Sequence, residues 1–116
     1  MGGRVMFRQA FLCENMGDLY WEPDHQVWAW CDASIYVSMT RRENAVFCHF
    51  SAKPDALRLL HDATGEFVDL VFDVMPWCQV VMGCIKRDSV ARLMAKCGFE
   101  HVIDHGNLKV YARYRK

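Results

Sequence analysis

His49 sits in a run that is otherwise apolar, Ala45-Val46-Phe47-Cys48-His49-Phe50. An imidazole changes charge near neutral pH, so His49 is the best-placed general base if this segment borders a cleft. The plainer reading is a core or sheet-edge histidine bonded to a backbone carbonyl. The carboxylates Glu22, Asp24 and Glu43 precede that run and could also take a proton, or could be solvated surface charges. The 6 cysteines are Cys13, Cys31, Cys48, Cys78, Cys84 and Cys97, and no two form a Cys-x-x-Cys pair. Cys48-His49 with Cys78, Cys84 or His61 lacks the ligand spacing of a zinc site, so no metal is expected. Most of these thiols lie in apolar runs, where a free cysteine behaves as a small hydrophobe. An even count permits a disulfide framework, but the N-terminus carries no recognisable export signal. The cysteines therefore read as reduced and the protein as intracellular, in the cytoplasm.

The elements that position these residues follow from composition and periodicity. The chain has 116 residues and is 53% hydrophobic, which suits one domain over 1–116 with a real core. Basic and acidic residues number 14 each, so the basic excess of a nucleic-acid surface is missing and no nucleic-acid partner is expected. The basic tail Arg113-Tyr114-Arg115-Lys116 reads as a solvated chain end. No apolar run approaches the roughly 20 residues that a membrane-spanning helix requires.

Residues 4–13 suggest a first strand and Leu19-Tyr20-Trp21 a short second one. Residues 26–31 and 34–40, rich in aromatic and β-branched side chains, suggest a hairpin. Trp28 and Trp30 share one face of it and are expected in the core. The run 45–50 reads as a strand buried on both faces. Ser51 or Asp55 could cap the following helix, with Pro54 in its first turn. That helix carries Ala56, Leu60, Ala63, Phe67, Leu70, Val71 and Val74 at helical spacing, is weakened at Gly65, and ends by Pro76. A strand over 78–85 precedes a second helix from Arg87-Asp88, with Val90, Leu93, Met94 and Cys97 as its buried stripe and Gly98 as its stop. Phe99–Ile103 and Leu108–Tyr114 flank a turn at Asp104-His105-Gly106-Asn107, which reads as a hairpin. A right-handed strand–helix–strand crossover sets 45–50 parallel to 78–85. The expected class is a mixed α/β (α+β) fold, mostly antiparallel with one central parallel pair and two helices.

From residue 26 to 114 this order resembles the GCN5-related N-acetyltransferase (GNAT) fold from its fourth strand onward. The best local match is Arg87-Asp88-Ser89-Val90-Ala91-Arg92-Leu93-Met94-Ala95-Lys96-Cys97-Gly98-Phe99, where Leu93, Gly98 and Phe99 fit the family pattern Asn-x-x-Ala-x-x-Leu-Tyr-x-x-x-Gly-Phe. The resemblance implies two splayed parallel strands that admit the pantetheine arm of acetyl-CoA. It also implies a pyrophosphate site on the N-terminus of the first helix. Its residues here would be Ser51, Ala52, Lys53, Asp55 and Ala56, with Arg87 at the second helix.

Several family groups are missing. The phosphate loop of the family is rich in glycine; here it has none, and Pro54 removes a donor while Asp55 repels a phosphate. Arg87 replaces the family asparagine, and Met94 replaces the tyrosine that protonates the departing thiolate. Tyr111 and Tyr114 lie on the last strand without motif support. Two N-terminal helices of the family are hard to find. Small degenerate GNAT-like domains of this kind look like head-assembly or internal virion proteins of short-tailed bacteriophages. The favoured expectation is thus an assembly or binding module with protein partners, possibly virion components, and little acetyl transfer. Two alternatives stand beside it. One is an active acetyltransferase in which Lys53, Arg58, Lys86 or Arg87 replaces the lost phosphate contacts. The other is an unrelated α/β binding domain.

Overall fold

Strict alternation of side chains builds the sheet. In the computed structural model, which describes residues 7–10, 24–31 and 34–115, its strands are β1 (Phe7–Gln9), β2 (Gln26–Trp30), β3 (Ile35–Arg42), β4 (Ala45–Ala52), β5 (Val80–Ile85), β6 (Glu100–His105) and β7 (Leu108–Tyr114). They lie in the order β1-β2-β3-β4-β5-β7-β6. Only β4 and β5 pair in parallel, joined by the expected crossover. The crossover holds a 3-10 segment (Pro54–Leu59) and α1 (Leu60–Val74), and α2 (Asp88–Lys96) follows β5. The strand expected over 4–13 is described only at Phe7–Gln9. Leu19-Tyr20-Trp21 lies outside the described residues.

Both helices pack on one face of the sheet. Phe7, Trp30, Ile35, Val37, Met39, Val46, Val81 and Ile85 meet Leu60, Ala63, Phe67, Val68, Val71, Ala91 and Met94 there. Phe67 anchors this layer, with its ring edge-on to Phe7 at 5.8 Å and to Phe50 at 5.6 Å. Trp28 and Trp30 face the same core, as expected, and Trp30 donates its indole N–H to Glu66 at 3.1 Å. On the opposite face Ala10, Val27, Ala29 and Tyr36 form a second small cluster. Among the described residues no helix is long and apolar enough to cross a membrane.

The helix ends depart from expectation in two ways. Neither Ser51 nor Asp55 caps the first helix: Ser51 lies within β4, and the N-cap is Lys53, which has no side-chain cap bond. Pro54 does occupy the first turn. Gly65 leaves α1 unbroken, because tertiary packing of the opposite, apolar face outweighs a propensity cost of about 1 kcal/mol.

In the basic tail Arg113 and Arg115 are not solvated, while Lys116 lies outside the described residues. Arg115 donates to the carbonyls of Cys78 at 2.7 Å and of Phe72 and Met75 at 3.0 Å, and its guanidinium lies over the Phe72 ring. It thereby satisfies carbonyls that the C-terminus of α1 leaves open, where a positive charge also suits the helix dipole. Arg113 does the same for α2, donating to the carbonyl of Cys97 at 2.8 Å. The stop of α2 is a Schellman turn: Phe99 N–H bonds Met94 O, and Gly98 N–H bonds Ala95 O, both at 3.1 Å. Gly98 is needed for its φ of 87, which would strain any residue with a Cβ.

Candidate functional site

The parallel pair β4/β5 is joined only over its first half. Ala45, Val46, Phe47 and Cys48 face Val80, Val81, Met82 and Gly83, and no pairing follows. β4 runs on for four more residues to Ala52, still paired on its other side with β3, where Ser38 faces His49 and Ile35 faces Ala52. The two strands therefore splay beyond Cys48 and Gly83. Lys53 N–H bonds Ser34 O on the β3 side at 3.0 Å. By alternation along the strand, the N–H and C=O groups of Phe50 and Ala52 point into the gap. Unpaired backbone at a strand edge is a ready partner for an extended polar chain. The gap opens at the carboxyl ends of the parallel strands, where ligands of α/β sheets usually sit.

Gly83 makes the close approach at the apex possible. A Cβ there would lie 3.3 Å from the Cys48 carbonyl oxygen and 3.9 Å from its sulfur. The Cys48 thiol donates to Met82 O at 3.5 Å, and burial, with smaller contributions from Cys84 and Cys78, pushes its pKa up to about 12. It is a neutral packing group, with no thiolate available at neutral pH. Cys78 and Cys97 are buried as expected, whereas Cys84 is exposed. Among the described residues no group of three or more potential ligands could hold a metal.

His49 is the first β4 residue past the apex, on the face of the sheet away from the helices. It is exposed, not buried among apolar neighbours as the surrounding run suggested. A single outward residue on a half-buried strand escapes a reading based on run hydrophobicity alone. Glu43 sits at the hairpin before β4, the end remote from the gap. Asp24 is held by Arg42 at 3.0 Å and His25 at 2.9 Å, and the Arg42 contact keeps its carboxyl below the usual range. Glu22 lies outside the described residues. Among the described candidates His49 thus stands alone at the mouth of the gap.

The positions suggested for the phosphate contacts divide. Ser51 and Ala52 end β4 on the rim of the gap, and Lys53 is exposed beside them. Ala56 does not serve: it is 3% exposed in the core, and its N–H is taken by Lys53 O at 2.8 Å. With Pro54 lacking a donor, the 3-10 turn presents few free N–H groups to an anion. Arg87 is the exposed N-cap of α2, two residues after β5 ends, and so lies at the same end of the sheet as Lys53. Met94, where the family tyrosine falls, is 5% exposed in the core. Tyr111 faces Gly83 across the sheet and stacks on His101 with ring centroids 5.3 Å apart.

A second feature went unread in the sequence. Two adjoining clefts of about 410 Å³ each run between α1 and α2. One is lined by His61, Ser89, Arg92, Leu93 and Lys96. The other shares His61 and Lys96 and adds Gly65, Cys97, Gly98, Arg113 and Tyr114. Ser89, Arg92 and Lys96 follow one another at spacings of three and four, so they share a side of α2 apart from its buried Ala91 and Met94. That spacing was available as a signal, but attention to the apolar stripe hid it. Of the acids near this region, Asp62 lies 3.5 Å from His61, and Asp88 is ion-paired with Lys109, which holds its carboxyl below the usual range. The charge of Asp88 is therefore partly offset.

No protein-family profile and no curated protein matches this chain. Solved structures match in fold. The N-acetyltransferase PseH of Campylobacter jejuni superposes with a TM-score of 0.70 at 8% identity, over 82% of this chain and 71% of that one, and so does its complex with acetyl coenzyme A. The aminoglycoside acetyltransferase AAC(6')-Ib in complex with coenzyme A gives 0.68 at 12% identity, over 79% and 67%. A GNAT-family acetyltransferase from Bacillus anthracis gives 0.60 at 14% identity, over 78% and 66%. The chain has the GNAT fold: a mostly antiparallel sheet with one parallel pair and two helices on its crossovers.

Proposed function

We propose that this chain binds an acyl-CoA thioester in the gap between β4 and β5 and passes the acyl group to an amine. The observation that carries the reading is the end of strand pairing at Cys48 and Gly83, with β4 continuing four residues beyond it. The open backbone at Phe50 and Ala52 suits the amides of a pantetheine arm, and superposable acetyltransferases that bind acetyl coenzyme A or coenzyme A support a ligand of that class. The phosphates would not rest on a glycine loop. Lys53 and Arg87 at the rim, and Arg92 and Lys96 in the cleft between the helices, supply the positive charge instead.

His49 is the residue assigned to accept the proton of the attacking amine. The amine nitrogen forms a bond to the thioester carbonyl carbon, the C–S bond breaks, and the amine proton passes to the imidazole and on to solvent. Met94 cannot protonate the sulfur. A thiol has an ordinary pKa of about 8.5, so the thiolate can leave unassisted near neutral pH. Loss of a positioned acid lowers the rate, by about 10²-fold or more, without abolishing the reaction. The matched structures named above are acetyltransferases, which supports acyl transfer and lends nothing to a virion-assembly role.

Calorimetric titration with CoA tests this reading, comparing the wild type with Arg92→Glu/Lys96→Glu. Micromolar binding by the wild type, weakened at least tenfold by two charge reversals, is expected. Equal affinity in both proteins removes the cleft from the reading, and no heat in either removes the reading itself.

A further inference from the structure

The edge strand β6 is exposed along its whole length and, among the described residues, pairs with β7 alone. At its centre are two exposed apolar side chains, Val102 at 48% and Ile103 at 60%. Bare apolar edges invite pairing with another strand.

The register of β6 on β7 shifts between His101 and Ile103: His101 faces Tyr111, Ile103 faces Val110, and Val102 is left over. This bulge brings His101 and Asp104, three residues apart, onto one face, where they bond at 2.7 Å. Glu100 and His105 face Ala112 and Leu108 and so share the other face. Read backwards, the strand Glu100-His101-Val102-Ile103-Asp104-His105 therefore repeats its own pattern: acid for imidazole at each end, apolar for apolar at the centre, and matching faces for both acid–imidazole positions.

We propose that β6 is a self-complementary dimer edge: two copies of this chain pair antiparallel through it, about a two-fold axis between Val102 and Ile103. In that register Glu100 meets His105 of the second copy, His101 meets Asp104 of the second copy, and Val102 meets Ile103 of the second copy. Moving one residue one way sets Glu100 against Asp104, and like charges opposite each other destabilise a strand pair; moving it the other way sets His101 against His105 and loses both acid–imidazole pairs. The charges therefore select this register, and the contact is isologous, closing at two copies. It joins two seven-stranded sheets into one and leaves the gap between β4 and β5, two strands away, open. The proposal does not depend on acyl-CoA binding.

Light scattering and sedimentation equilibrium on the whole chain test it. The wild type sediments at twice the 13.5 kDa chain mass at micromolar concentration. Ile103→Lys, placed on the exposed strand, gives a monomer with an unchanged circular dichroism spectrum. Glu100→Lys weakens the dimer about tenfold through its two symmetry-related contacts, and Glu100→Lys/His105→Glu restores it. A monomeric wild type overturns the proposal. So does a dimer that Ile103→Lys leaves intact, or one that the double variant fails to restore.

Discussion

Cys48 and Gly83 are the last residues at which β4 and β5 face each other, and the missing side chain of Gly83 is what lets the Cys48 carbonyl come that close. Gly83→Ala puts a methyl 3.3 Å from that oxygen, so the β4 backbone must yield by a few tenths of an ångström. The expected cost is about 1 kcal/mol, a fall of about 4 °C in the melting midpoint. An unchanged midpoint in thermal denaturation contradicts the close approach.

The Arg115 guanidinium ties α1 to the segment before β5 through three carbonyls. Arg115→Ala leaves them without this donor and is expected to cost about 2 kcal/mol, lowering the melting midpoint by about 8 °C. Arg115→Lys recovers only part, because an ammonium cannot reach three acceptors with a planar fork. A melt within a degree or so of wild type for the alanine variant would show a tail free in solvent.

Much of this fold was legible in the sequence because periodicity reports burial. The strand over 45–50, the glycine stop at Gly98 and the hairpin around Gly106-Asn107 all fall where alternation and turn residues place them, while the helix expected from Ala56 begins as a 3-10 segment and turns α-helical at Leu60. What stayed hidden depends on contacts between distant segments. The tail reads as charged and terminal, and only the folded chain brings Arg113 and Arg115 to two helix ends. The apolar run around His49 implies burial on both faces, yet its side chain points to the face that the helices leave uncovered and is open to solvent. Ala56 fits a phosphate loop by position, but a 3-10 turn aims its side chain at the core and its N–H at Lys53.

Cys48 links stability to alkaline pH. Its folded-state pKa, about 12, is raised above the ordinary value of 9.0, so the folded chain keeps a proton that the unfolded chain releases. The sign follows: its contribution is fully present below pH 9.0 and is lost as pH rises toward about 12. Urea denaturation at a series of alkaline pH values should show stability falling through this window more steeply in the wild type than in Cys48→Ala. Equal slopes would mean that the thiol titrates normally. At pH 8, exposed Cys84 should react with a thiol reagent while Cys48 does not.

His49 lies at the mouth of the gap on the face of the sheet away from the helices, so its role separates from binding. His49→Gln should leave the affinity for acetyl-CoA unchanged and slow acyl transfer to a primary amine by about 10²-fold. Transfer at the wild-type rate would remove the imidazole from the reaction.

The most direct measurement is amide hydrogen exchange with and without saturating acetyl-CoA. Insertion between the strands gives the free N–H groups of Phe50 and Ala52 a partner, so their exchange should slow selectively, while His49 and Ser51, already bonded toward β3, change little. Unaltered exchange at Phe50 and Ala52 in the saturated protein would contradict the claim that the gap between β4 and β5 receives the thioester.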